Sequence, residues 1–176
     1  MSVIYDLAAG LDMLVPSAKY QGSLKYNTEQ EYGEIVWLDG RKKPSYEESI
    51  EASLNVMRLT ISEEINEKTR DKIIMGFKFS VSPETQINSD MEWQFDVLNL
   101  WLQKDSGLIV YPYSLYASFS ANAKPNYITI ADSAMLQQIY FEMFGHVDGW
   151  LRSGRTEKDK LTGMTKDELE EYIDKR

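Results

Sequence analysis

One helical stripe constrains this chain more than any other feature. Ile50, Leu54, Met57, Ile61 and Ile65 recur at intervals of four, three, four and four, the repeat that brings side chains to one face of an α-helix. Ser45-x-x-Glu48 is a capping box at its start, with Pro44 just outside it and Glu47 and Glu48 at the positive end of the helix dipole. After the polar stretch Asn66 to Lys72, Ile73 and Ile74 resume the stripe, and Gly76 is a C-terminal cap. Glu47, Glu51, Arg58 and Glu63 mark the opposite face. At 1.5 Å per residue such a helix runs about 45 Å. That exceeds what a compact small domain needs, so the helix either bridges two subdomains or packs against another chain.

Flanking segments read as short strands and further helices. Ile4, Leu7, Ala8, Leu11 and Leu14 predict a short amphipathic helix over Val3 to Leu14, stopped by Pro16. Ala18 to Tyr26 and Gly33 to Leu38 read as two strands separated by Asn27 to Glu31. Two strands are marginal alone and need a helix to cover them. Beyond Gly76, Phe77 to Val81 and Thr85 to Asn88 form a second expected hairpin. Ser89-Asp90 caps a helix through Lys104 that is apolar on much of its surface, and Leu108 to Tyr111 is strand-like. Pro112 to Pro125, rich in Tyr, Ser, Ala and Asn, reads as an irregular loop, and Tyr127 to Ile130 as a strand. Asp132 caps a helix with the stripe Leu136, Ile139, Met143, Val147 and Trp150. A charged segment, Arg152 to Lys160, then leads to a second capping box at Thr165-x-x-Glu168 and a short terminal helix. The expected class is α+β, with small antiparallel hairpins packed on helices and one long central helix. Its expected parts are a helix-plus-hairpin module over 1–44, the connecting helix over 45–76 and an α+β domain over 77–176.

Composition narrows the function classes. An apolar content of 43% with four Trp, eleven Tyr and six Phe supports a real core. The net charge of −9 disfavours nucleic acid and anionic membranes as partners, since phosphate contacts need clustered Lys and Arg. With no cysteine, thiolate chemistry and Cys-based zinc sites are excluded. No signal peptide or membrane-spanning helix is read at the start of the chain.

Candidate chemistry is sparse. His146, the only histidine, lies beside Asp148; it reads as a packing residue on a helix, the alternative being a general base oriented by that carboxylate. Glu63, Glu64, Glu67 and Asp71 lie along one helical flank and read as solvated charges paired with Lys68 and Arg70. A magnesium or glycosidase site would need a facing partner set that the sequence does not identify. No metal site, cofactor or catalytic residue is assigned. The candidate partner-binding residues are Ile50, Leu54, Met57 and Ile61 on the long helix, and Tyr111, Tyr113, Tyr116 and Phe119 in the aromatic stretch. Rings carry much contact energy, and the Ser, Ala and Asn around them are adaptable; the alternative is a loop folded onto core.

Val15-Pro16, Ala18, Ile35 to Gly40 and Pro44 to Glu48 together resemble the entry of small phage tail proteins. The remainder resembles a domain of uncharacterised function found in phage tail-fibre assembly and accessory proteins. Its marks are Arg70-Asp71, Gly76-Phe77, Trp101, the helix ending near His146 and the Thr165 to Leu169 helix. The chain departs from that pattern at Pro112 to Pro125, a longer and more aromatic connection. The resemblance implies a non-enzymatic tail component, made in the host cytoplasm and carried in the virion. Such a component attaches or decorates the tail fibre or baseplate as a homo- or hetero-oligomer. The alternatives are a fibre-assembly chaperone that leaves the mature particle and, remotely, a glycan-acting enzyme.

Overall fold

In the computed structural model, residues 4–119 and 125–176 are described, the side chain of Phe119 excepted. Helices and hairpins follow one another as α1 (Leu7–Leu14), β1 (Tyr20–Gln21), α2 (Glu29–Glu34), β2 (Val36–Trp37), α3 (Tyr46–Ile74), β3 (Phe77–Phe79) and β4 (Ser82–Ile87). They continue as α4 (Met91–Gln103), β5 (Tyr113–Phe119), β6 (Pro125–Ile130), α5 (Ser133–Leu161) and α6 (Lys166–Glu170). The strands pair as three antiparallel two-stranded sheets, β1-β2, β3-β4 and β5-β6. The fold is α+β with a long α3. Two compact units divide the chain, Met1–Ile65 with Thr156–Arg176, and Asn66–Arg155. This partition differs from the division expected at residues 44 and 76: the boundary falls inside α3, and the end of α5 joins the first unit.

The first unit is organised by the stripe of α3. Met57, Ile61 and Ile65 are buried with Leu7 and Leu11 of α1, Tyr32 of α2, Leu161 of α5 and Leu169 of α6. Ile50 and Leu54 pack partly buried against the same cluster. The helix starts where the capping box placed it: Glu48 N donates to Ser45 Oγ at 3.1 Å and Ser45 N to Glu48 Oε2 at 2.6 Å. α1 approaches α3 through small residues. A Cβ on Gly10 would lie 2.2 Å from Ser53 Oγ and 2.5 Å from Ser49 O, so only glycine allows this approach. The Tyr32 hydroxyl donates to Pro44 O at 2.7 Å and accepts from Ser49 Oγ at 2.9 Å, which satisfies a buried polar pair.

In the second unit, Phe79, Ile87, Trp93, Val97, Leu115, Ile130 and Ile139 belong to one buried cluster drawn from β3, β4, α4, β5, β6 and α5. α3 ends at Ile74, and Gly76 just beyond it has a φ of +75° that only glycine adopts readily; a Cβ there would lie 1.5 Å from Ile87 O. Asn88 N donates to Ala117 O at 3.0 Å, joining the end of β4 to β5. Trp93 Nε1 donates to Tyr116 O at 2.7 Å, tying α4 to the same strand.

Several sequence expectations are corrected. α1 begins at Leu7, capped by Asp6, rather than at Val3, which lies outside the described residues. Thr28 caps α2 in what reads as a plain turn and strand, leaving only two residues on each side of the first hairpin. Leu108 to Tyr111 is not a strand; β5 starts at Tyr113, inside the expected loop. The physical reason is burial two residues apart: Leu115, paired with Ile128 of β6, and Ala117, at a bulge in the ladder, are both buried in the core cluster with Ile128 and Ile130. Residues 120–124 of that expected loop lie outside the described residues. The charged segment Arg152 to Lys160, whose structure the sequence left open, is the last third of α5. Arg, Lys and Glu are good helix formers, spaced ion pairs such as Glu157–Lys160 support them, and Leu161 anchors the end in core.

Candidate functional site

The long-helix residues proposed for partner contact lie inside the first unit. Met57 and Ile61 are each 1% exposed, and Ile50 and Leu54 are half-buried against the same cluster. The stripe packs into this chain's own core, where residues of α1, α2 and α6 lie against it. A stripe read along one helix reports that its face is covered; it does not say by which chain.

The aromatic residues are divided. Tyr111 and Tyr116 pack partly buried against the second unit's core. Burial first, then the carboxylates of Asp105 and Asp132, hold the Tyr111 phenol above its ordinary pKa. Among the described residues its hydroxyl is buried without a hydrogen-bond partner. Tyr113 is exposed at the start of β5, and Tyr116 meets Tyr127 edge-on at 6.1 Å across the β5-β6 ladder. The Phe119 side chain lies outside the described residues. What the structure brings together here is a strand pair with one ring row half in the core.

His146 takes a packing role. Its Nε2 lies 3.2 Å from Ile73 O and its ring 5.4 Å from that of Phe77, while the Asp148 carboxylate is 2.7 Å from Arg152 Nε. Glu63, Glu64, Glu67 and Asp71 are exposed along α3, and among the described residues no group of three or more His, Asp or Glu is placed to hold a metal ion.

The surface that does stand out lies on the second unit. Met91, Phe95, Leu98 and Leu102 of α4 recur at four, three and four residues, an outward stripe on the side away from Trp93 and Val97. Met91 is 85% exposed and Phe95 63%. α5 runs alongside in the opposite direction, as its contacts require: Trp101 stacks on Tyr140 at 4.3 Å, and Met91 shares a hollow with Val147 and Leu151. Between the two helices run two adjoining hollows. One of about 360 Å³ is bounded by Ile73, Ile74, Met91 and Leu151, and the other, of about 370 Å³, by Phe95, Leu98, Tyr140 and Phe144. Met91 and Gln94 border both, so they form one groove. Phe144 is 57% exposed on its α5 side, with Leu151 further along.

Exposed apolar patches of this extent are found at protein contacts, ligand grooves and membrane-facing sites. This one was legible in part. The sequence makes α4 apolar on much of its surface, and a helix apolar on two faces has more to bury than one core. What the sequence did not show was that α5 would set Phe144 and Leu151 beside the second of those faces. Among the described residues, no helix is long and apolar enough to cross a membrane. Compared with protein-family models, with curated proteins and with solved structures, the chain gives no match.

Proposed function

We propose that this chain is a non-enzymatic contact protein that works by docking the α4–α5 groove of its second unit onto another polypeptide. The observation that carries this reading is the outward stripe Met91, Phe95, Leu98 and Leu102, set beside Phe144 and Leu151. Two aromatic rings and a methionine held largely in water are unfavourable at roughly 25 cal/mol per Å² of apolar area, and association removes that area from water. Rings and methionines are also the residues enriched at interface centres.

The setting proposed for this contact is a phage tail, with the chain a virion component attaching or decorating the fibre or baseplate. That part rests on the sequence resemblance at Val15 to Ala18, Ile35 to Gly40 and Pro44 to Glu48, while the contact itself rests on the groove. Mass spectrometry of purified phage particles tests the tail assignment. The expected result is this chain in fixed proportion to the tail proteins, and its absence from the particles overturns the virion role. Incorporation of a photo-crosslinking residue at Phe95 tests the groove: crosslinks to a defined polypeptide are expected, and none at that position overturns the contact reading.

A further inference from the structure

We infer that the occupant of the α4–α5 groove is a second copy of this chain, docked by a two-fold axis running along the groove. The inference rests on the reading that the groove is a contact surface, and it names what fills it.

Three features of the patch argue for self-pairing. The first is shape. An isologous interface must carry its own complement, because the same residues appear on both sides. Here projecting side chains and hollows lie side by side: Met91 and Phe95 stand out from α4, and the two hollows of about 360 and 370 Å³ open next to them. A groove built only to take a partner's helix needs no projecting ridge of its own.

The second is area. Ile74, Met91, Phe95, Leu102, Phe144 and Leu151 are all exposed large apolar residues. At roughly 100 Å² each, scaled from the area that large side chains bury, they present on the order of 600 Å² per copy. With their polar rim they approach the ~800 Å² per partner of a standard stable interface.

The third is charge. Glu92 and Asp96 are exposed immediately after Met91 and Phe95, on the flank of α4 turned away from α5. Arg152 and Arg155 are exposed on the far flank of α5, Arg152 already paired with Asp148 in its own helix. The face thus has one acidic and one basic edge. Rotation about an axis along the groove lays α4 of one copy antiparallel over α5 of the other and sets the acidic edge on the basic one. Because Met91 and Leu151 border the same hollow, the next residues, Glu92 and Arg152, come to the same level across the interface. A chain of net charge −9 would otherwise repel its own copy, so the local pairing of signs sets the docking direction.

Sedimentation equilibrium of the full-length chain over a wide concentration range is the test. A reversible dimer is expected, weakened by about tenfold or more in Phe95→Ser. Glu92→Arg and Arg152→Glu should each weaken the dimer, more so at low salt, and the double variant should recover it. Recovery in the double variant cannot come from general loss of folding. A monomer at all concentrations, or a dimer that neither Phe95→Ser nor the charge reversals weaken, overturns the inference. Crosslinking from position 95 then separates the two readings. A monomer whose position 95 crosslinks to a different protein removes the second copy and leaves the contact reading standing. A monomer that gives no crosslink from that position removes both.

Discussion

Trp101 of α4 lies flat on Tyr140 of α5, ring centroids 4.3 Å apart and planes within 11°. The stack fixes the spacing of the two helices at one end of the groove. Tyr140 also touches Phe141 at 5.6 Å, so an ordered ring cluster continues toward the exposed α5 face. Replacing Tyr140 by Ala should cost about 2 kcal/mol of second-unit stability. It should also loosen the contact surface, while Tyr140→Phe keeps both. Chemical denaturation followed by Trp fluorescence reports the first, and the oligomeric state the second.

Gly76 is held against Ile87 O, where a Cβ would come within 1.5 Å. Gly76→Ala combines that overlap with a positive φ, and a loss of about 3 kcal/mol is expected from urea unfolding. A change below about 1 kcal/mol would mean that the α3–β3 turn relaxes freely.

The two apolar stripes should respond in opposite ways. Met57→Asp places a charge in the first unit's core, where Met57 is 1% exposed, and should unfold that unit. Phe95→Ser removes a ring that is 63% exposed and, at a concentration where the chain is dissociated, should change folding stability by no more than about 0.5 kcal/mol. Circular dichroism melts of the two variants distinguish them.

Tyr111→Phe deletes a buried hydroxyl that has no hydrogen-bond partner among the described residues. Stability should stay level or rise by up to about 1 kcal/mol, because the desolvation cost of an unpaired polar atom disappears. A loss above about 1 kcal/mol would reveal a partner to that hydroxyl.

Alkaline pH should destabilise the fold. The phenols of Tyr5, Tyr32, Tyr111 and Tyr172 are all raised in the folded chain, chiefly by burial. For Tyr172 the hydrogen bond to Glu157 at 3.0 Å, which holds the proton on the phenol, adds to the shift. A raised phenol keeps its proton when folded and loses it first when unfolded. Its contribution is therefore complete below about pH 10 and is lost as pH rises beyond it. Urea midpoints measured from pH 8 upward should fall above about pH 10, and Tyr172→Phe should flatten the fall.

Local signals determined much of this protein. The capping boxes at Ser45 and Thr165 and the Asp90 and Asp132 caps were legible because each depends on residues three or four apart. The second hairpin and the class, α+β around a long α3, followed from the same short-range chemistry. Tertiary structure decided what such spacing cannot express. Whether the stripe at Ile50, Leu54, Met57 and Ile61 faces a neighbour or its own chain depends on α1, α2 and α6, which arrive from distant sequence positions. The strand hidden in the Tyr-rich segment needed β6 and Asn88 beside it to satisfy its backbone. The groove, too, exists only because antiparallel packing puts Phe144 and Leu151 next to Met91 and Phe95. Periodicity says that a face must be covered, and only the folded chain says which faces it has already covered itself.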